Sequence, residues 1–146
     1  MKRIAVLSDT HGKLPLSAVL EMADADEIWH LGDVIEPHIL GPLFSLRKSL
    51  RVVRGNCDDC VEWPHHLIIN EFGLRLMLVH IPPSSAPSGV DILLHGHTHI
   101  PRHERVGSAI FLNPGSTSRP KGGCAPSWAW LELDETGYRW TPQVIL

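Results

Sequence analysis

A chain of 146 residues that is 43% hydrophobic and 20% charged has the size and composition of one globular domain around one core, spanning residues 1–146. Thirteen Lys and Arg against sixteen Asp and Glu give a formal net charge of −3, and the cations are scattered, so there is no basic stripe for a nucleic-acid backbone and no stable nucleic-acid complex is expected. No apolar run approaches the roughly 18–20 residues that cross a bilayer, the run after Met1-Lys2-Arg3 stops at Leu7, too early for an export signal, and three cysteines make no disulfide framework, so a cytoplasmic protein away from membranes is the expectation.

The first third reads as β-α-β-α-β. A strand over Lys2 to Ser8 is followed by a short helix over Leu16 to Ala23 and a strand over Glu27 to Leu31. A helix from Pro37 to Ser49, with proline near its start, leads into a strand over Arg51 to Arg54. That order implies a parallel sheet. Next come His66 to Asn70 and Arg75 to Val79, joined as a hairpin through Glu71-Phe72-Gly73-Leu74, and a short buried strand over Asp91 to Leu94. The remainder is β: His103 to Val106, Ile110 to Leu112, Ser127 to Leu133 and Tyr138 to Val144, separated by Gly, Pro and Asn turn signals. The sum is an α/β fold of two packed sheets with flanking helices.

In open α/β sheets ligands gather beyond the carboxyl ends of the strands. Here every such end delivers a metal-type ligand: Asp9 and His11, then Asp33, Asn56, His80, and finally His97 and His99 within His95-Gly96-His97-Thr98-His99. Each piece alone is ordinary. Gly-Asp and Gly-Asn after a strand are common turn chemistry, and a lone histidine is usually a packing residue. A turn, however, has no use for three imidazoles in five residues, and carboxylates, an amide and imidazoles without a thiolate are what a two-metal hydrolase needs. Cys57-Asp58-Asp59-Cys60 has the spacing of a redox pair but no second pair to complete a zinc site and no thioredoxin-like helix to open. His30, His38, His65, His66 and His103 read as surface or packing residues, with His65-His66 near enough to the Asn56 loop to approach a substrate.

The blocks Ser8-Asp9-Thr10-His11-Gly12, His30-Leu31-Gly32-Asp33, Val53-Arg54-Gly55-Asn56-Cys57-Asp58, Val79-His80, His95 to His99 and Asn113-Pro114-Gly115-Ser116 resemble, in order, those of the calcineurin-like metallophosphoesterases, and within them the small phosphodiesterases of the YfcE type. The resemblance implies a four-layer α/β/β/α sandwich. It also implies two divalent ions per chain, drawn from Mn, Fe, Zn, Co or Ni with manganese the leading choice. One ion would be held by Asp9, His11, Asp33 and His99, the other by Asp33, Asn56, His80 and His97, with Asp33 bridging. A hydroxide shared by the ions would attack a small phosphoester in line.

Asp33, Asn56, Asp58 and His95 are the candidate catalytic residues, His95 behind the ligands and Asp58 as a proton donor to the leaving group. In the larger phosphatases a histidine follows the metal-binding asparagine. Here that position is Cys57, so the acid is open among Cys57, Asp58 and water, and a preference for good leaving groups is expected. Between His80 and His95 the family carries a helix, whereas this chain has a short segment with three prolines and a glycine. Reduced helical cover on that sheet, closed by a homo-oligomer partner, is the expectation. A non-catalytic scaffold on the same fold, or a metal-binding protein without hydrolytic activity, are the alternatives.

Overall fold

The computed structural model describes residues 1–146. Ten strands form two mixed five-stranded sheets. The first has the order β10 (Gly137–Val144), β9 (Ser127–Asp134), β1 (Lys2–Leu7), β2 (Glu27–His30), β3 (Ser49–Val52). The second has the order β4 (His66–Glu71), β5 (Leu74–Val79), β6 (Ile92–Leu94), β8 (Ala109–Asn113), β7 (Arg102–Val106). β1, β2 and β3 are mutually parallel, as the β-α-β-α-β pattern requires, and β5, β6 and β8 are parallel in the second sheet. The outer pairs β4–β5, β7–β8 and β9–β10 are antiparallel hairpins.

Strand β1 shows how the sequence selects its neighbours. Successive side chains point to opposite faces of a strand. Ile4 and Val6 enter the core between the two sheets, where Leu76, Leu78, Leu94, Leu112 and Leu131 also lie. Ala5 and Leu7 face Ala18, Val19, Met22 and Leu43 under the helices. Both faces are buried, so the strand reads as an unbroken apolar run rather than an alternating one.

Both helices cover the first sheet only. Helix α1 is Leu16–Met22, close to expectation. The single helix expected over Pro37 to Ser49 is instead a 3-10 turn, Pro37–Leu40, followed by the short α2, Gly41–Ser45. Pro42 lacks the N–H needed to continue a helix through this point. Arg47, at φ 57°, ends the helix in the left-handed region, and β3 starts at Ser49, two residues before the expected strand.

The reduction in helical cover after His80 is complete. On the outer face of the second sheet Leu93 and Phe111 pack against Val90 and Ala86 of the proline-rich segment, together with Ala109, Met77, Val79 and Val106. The chain's own loop stands where the fourth layer's helix is expected. No helix of the chain is long and apolar enough to cross a membrane.

Candidate metal centre

Five strand exits meet at one end of the sandwich. Asp9 and His11 follow β1, Asp33 follows β2, Asn56 follows β3, His80 follows β5, and His97 and His99 follow β6. Backbone bonds lock the exits together: Asp9 N–H donates to the Gly32 carbonyl at 2.9 Å, His11 N–H to the Asp33 carbonyl at 3.0 Å, and Gly96 N–H to the His80 carbonyl at 3.1 Å. Asp9, His11, Asp33, His97 and His99 all have φ between 44° and 74°. The left-handed region costs an L residue on the order of 1–3 kcal/mol and is tolerated where the surroundings impose it.

Close approach depends on two glycines. A Cβ on Gly55 would collide with the Asp33 carboxylate, and one on Gly96 would collide with Ser8 Oγ and come within 2.6 Å of Asp9 Oδ2. The glycines in Gly55-Asn56 and Gly96-His97 are thus required by packing against the acids.

The polar atoms gather around the two carboxylates. Asp9 Oδ1 lies 3.2 Å from His99 Nε2, 3.7 Å from His11 Nε2 and 3.8 Å from His80 Nε2. Asp33 Oδ2 lies 3.3 Å from His80 Nε2 and 3.5 Å from His11 Nε2, between the two imidazoles. Its other oxygen accepts the Cys57 N–H at 2.9 Å. His97 N–H donates to Asp9 Oδ2 at 3.0 Å, and the His97 ring places Nδ1 3.1 Å from Asn56 Oδ1 on the open side. Two overlapping triads, Asp9–His11–His99 and Asp9–Asp33–His80, each keep three ligand atoms within 4.8 Å of one another.

The tautomers follow from the backbone. His80 Nδ1 faces the Leu31 carbonyl at 2.7 Å and His99 Nδ1 the Arg119 carbonyl at 2.6 Å. A carbonyl only accepts, so both Nδ1 atoms carry the proton and both Nε2 atoms turn to the carboxylates. His80 Nε2 and Asp9 Oδ1 are buried without a hydrogen-bond partner. His11 Nε2 and His99 Nε2 stand 3.2 Å apart, where two protonated rings would repel. Oxygen and imidazole donors in this number fit a divalent cation.

The electrostatics agree. Burial opposes charge on His80, but Asp33, Asp9 and the Leu31 carbonyl outweigh it and raise its pKa. At His11 burial wins over Asp33 and Asp9, and the pKa falls. Burial would also raise Asp33, yet His80, the Cys57 N–H and His11 hold it far below the usual carboxylate range.

Two of the four candidate catalytic residues, Asp58 and His95, lie behind the cavity wall. Asp58 does not face the cavity as a proton donor: it is buried, and its oxygens accept N–H bonds from Asp33 at 2.8 Å, Gly55 at 2.8 Å and Ile35 at 2.9 Å. Its three acceptor bonds fix the turns that carry Asp33 and Asn56. His95 is fully buried beneath the site, with Nδ1 2.9 Å from the Gly96 carbonyl and Nε2 3.2 Å from Arg102 Nη1, and burial lowers its pKa to about 4. It braces the turn that carries His97. The Asn113–Ser116 turn likewise spends its donors on the protein: Asn113 Nδ2 on the Gly96 carbonyl and Thr98, Ser116 Oγ on the Asp9 carbonyl.

Cys57 lies exposed at the cavity wall, its pKa raised by burial and by the carboxylates of Asp33, Asp58 and Asp9, so it stays a thiol at neutral pH. His30, a surface or packing residue by sequence, is fully buried between Thr10 Oγ1 at 3.0 Å and the Gly32 N–H at 3.0 Å, tying β2's exit to β1's. Arg119 and Lys121, to which no motif pointed, line the cavity with His11, Asp33, Asn56, His97 and His99. Their only sequence signal is a pair of cations in the loop after Ser116. A neighbouring depression is bounded by Arg54, His65, Val79 and Ile81 and shares Asn56 and His80 with the site, which brings His65 to its edge.

Residues 1–136 match the family model of the calcineurin-like phosphoesterase superfamily domain. Phosphodiesterase YfcE of Escherichia coli strain K12 is 33% identical over an alignment of 167 positions that covers 92% of this chain and 89% of the relative. A probable metallophosphoesterase of Methanocaldococcus jannaschii is 32% identical, covering 81% of this chain and 69% of that protein. The solved structure of the Escherichia coli YfcE phosphoesterase superposes with a TM-score of 0.78 at 30% identity, over 90% and 89% of the two chains. Vps29 of Entamoeba histolytica, solved with zinc, shares the fold with a TM-score of 0.77 at 20% identity, over 97% and 98%. A family match over residues 1–136, joined to relatives above 30% identity along most of their length, makes this chain a member of the calcineurin-like phosphoesterase superfamily.

Proposed function

We propose that the chain is a divalent-metal-dependent phosphodiesterase that hydrolyses a small phosphoester by in-line attack of hydroxide. Two ions would be held, one by Asp9, His11, Asp33 and His99, the other by Asp33, Asn56, His80 and His97. The observation that carries this reading is a pair of buried atoms without partners, Asp9 Oδ1 and His80 Nε2, with Asp33 Oδ2 set between His11 and His80. Buried polar groups are left unpaired only at a cost, and a cation relieves it. Bound divalent ions supply Lewis acidity, lowering the pKa of water and neutralising phosphoryl charge. Manganese is the first choice among Mn, Fe, Zn, Co and Ni, all of which accept mixed oxygen and nitrogen donors.

The protein's part is placement. The carbonyls of Leu31 and Arg119 fix the His80 and His99 tautomers, and such outer contacts raise the ligands' basicity. Asn56 and His97, exposed at the mouth, face the incoming phosphoryl group. With Asp58 committed to backbone N–H groups and His95 below the turn, the Cys57 thiol and water remain as proton sources for the leaving group, both weak acids, which favours esters of acidic alcohols and phenols.

The test is hydrolysis of bis(p-nitrophenyl) phosphate with added manganese, together with elemental analysis. Wild-type protein is expected to carry about two ions and turn over the diester, and Asp33→Ala to lose both, with a rate loss on the order of a thousand-fold or more. Metal binding without turnover of any diester would overturn the enzyme reading and leave a non-catalytic role on this fold.

A further inference from the structure

The mouth of the metal centre carries two cations that the hydrolysis proposed above leaves without a task. Arg119 and Lys121 line the cavity beside His11, Asp33 and His99. Neither side chain takes part in any of the chain's ion pairs, although Asp33 lines the same cavity. They are not there to neutralise that carboxylate by contact.

Their backbone is fixed to the site. The Arg119 carbonyl accepts the His99 Nδ1 proton at 2.6 Å, and Lys121 N–H donates to the His99 carbonyl at 3.1 Å. Arg119 N–H donates to Ser116 Oγ at 2.8 Å, and that hydroxyl in turn donates to the Asp9 carbonyl at 2.7 Å. The backbone from which the two side chains rise is therefore tied to Asp9 and His99, so both cations stay within reach of the opening. Like charges bounding one opening repel, and an anion between them relieves the repulsion.

We propose that Arg119 and Lys121 clamp a second phosphate of the substrate, so that the substrate class is a phosphodiester bearing a further phosphate monoester. The proposal rests on the phosphodiesterase reading and narrows it. A simple diester carries one negative charge, which the metal centre itself meets. A phosphate monoester adds about 1.5 to 2 negative charges near pH 7, matching two cations better than a carboxylate would. Arginine's planar fork suits phosphate oxygens, and lysine supplies a mobile point charge beside it.

Two thymidine substrates differing in one group test this with the manganese-loaded protein. One is thymidine 5′-(p-nitrophenyl phosphate), the other the same ester with a 3′-phosphate. The bisphosphate is expected to have roughly ten-fold higher kcat/KM, expressed in KM and shrinking as salt rises. The Arg119→Gln, Lys121→Gln double variant is expected to bring the ratio of the two substrates down to within about three-fold, while Arg119→Lys, which keeps the charge and loses the planar fork, retains an intermediate ratio. Calorimetry reads the clamp independently of turnover: thymidine 3′,5′-bisphosphate should bind roughly ten-fold tighter than thymidine 5′-monophosphate in wild type and lose that advantage in the double variant. Equal treatment of the paired ligands by wild type, or a preference that survives the double variant, overturns the clamp. Failure to hydrolyse either ester with the binding preference intact overturns only the hydrolase reading.

Discussion

Asp58 is a carboxylate whose charge is answered by three backbone N–H groups instead of a cation. Asparagine offers one acceptor oxygen in its place and turns an NH2 toward donors, so Asp58→Asn leaves buried N–H groups unpaired at roughly 1–3 kcal/mol. Because the bonded N–H groups belong to Asp33 and to Gly55, next to Asn56, the variant is expected to bind manganese about 10–100-fold more weakly. At saturating manganese most of the rate should return, as read by a metal titration of activity; a loss that saturation does not recover would restore Asp58 as a proton donor. His30 shows a second residue effect, on pH. Burial pushes it down to about 3, so from its ordinary value near 6.5 down to that point the unfolded chain binds a proton that the folded chain does not. Stability therefore falls with falling pH across this window, at up to about 1.4 kcal/mol per pH unit for this one group. His95, at about 4, and His11 act in the same direction, while His80, raised, acts in the opposite one. Urea titrations from pH 7 down to about pH 4.5, above the range where Asp33 titrates, should show the decline, and His30→Asn, whose Oδ1 can accept the Gly32 N–H, should flatten it.

At the scale of elements, the exit turn of β6 concentrates the demands of the site. Gly96 passes against Ser8 and Asp9 with no room for a methyl group. Gly96→Ala is expected to cost about 1–3 kcal/mol in urea unfolding and to displace Asp9 and His97 enough to lower manganese affinity at least ten-fold by calorimetry. An unchanged affinity would mean that the turn does not set the ligand positions. This turn also shows why the site was legible in the sequence while parts of the fold were not. A strand exit must release its polar ligands at once, so Leu94-His95-Gly96-His97 carries its transition in the residues themselves, as do Leu31-Gly32-Asp33 and Val79-His80. Residues 37–49 lack such a boundary: the apolar spacing is helical throughout, and only Pro42 and the left-handed Arg47 divide it into a 3-10 turn, a short helix and the start of β3. Asp58 was open for a different reason: composition near a site does not reveal whether a carboxylate faces the cavity or the backbone behind it, and this one faces the backbone. Arg119 and Lys121 reach the cavity through a loop whose path is set by contacts with His99 and Ser116, about 20 and three residues away in the chain.

Across the whole molecule the candidate ligands divide between the sheets. Asp9, His11, Asp33 and Asn56 leave β1, β2 and β3 of the first sheet, whereas His80, His97 and His99 leave β5 and β6 of the second. At the opposite end the sheets are joined by charge: Lys2 Nζ of β1 lies 2.6 Å from Glu27 of β2 and 2.6 Å from Glu71 of β4. The apolar interior between these ends holds the sheets face to face, and a cation gripped by both sets of exits would close the sandwich at its functional end. Metal binding and folding are then linked, because the unfolded chain cannot assemble ligands from five separate turns. An ion present at a hundred times its dissociation constant adds about 2.7 kcal/mol per site, which for a chain of this size is roughly 5–10 °C in Tm. Removing metal with a chelator should lower Tm by that amount per ion, and adding manganese back should restore it in one cooperative transition. Asp33→Ala, lacking the carboxylate set between His11 and His80, should melt at the same temperature with and without manganese. A wild-type Tm indifferent to metal would show that the two sheets hold their exits together without it.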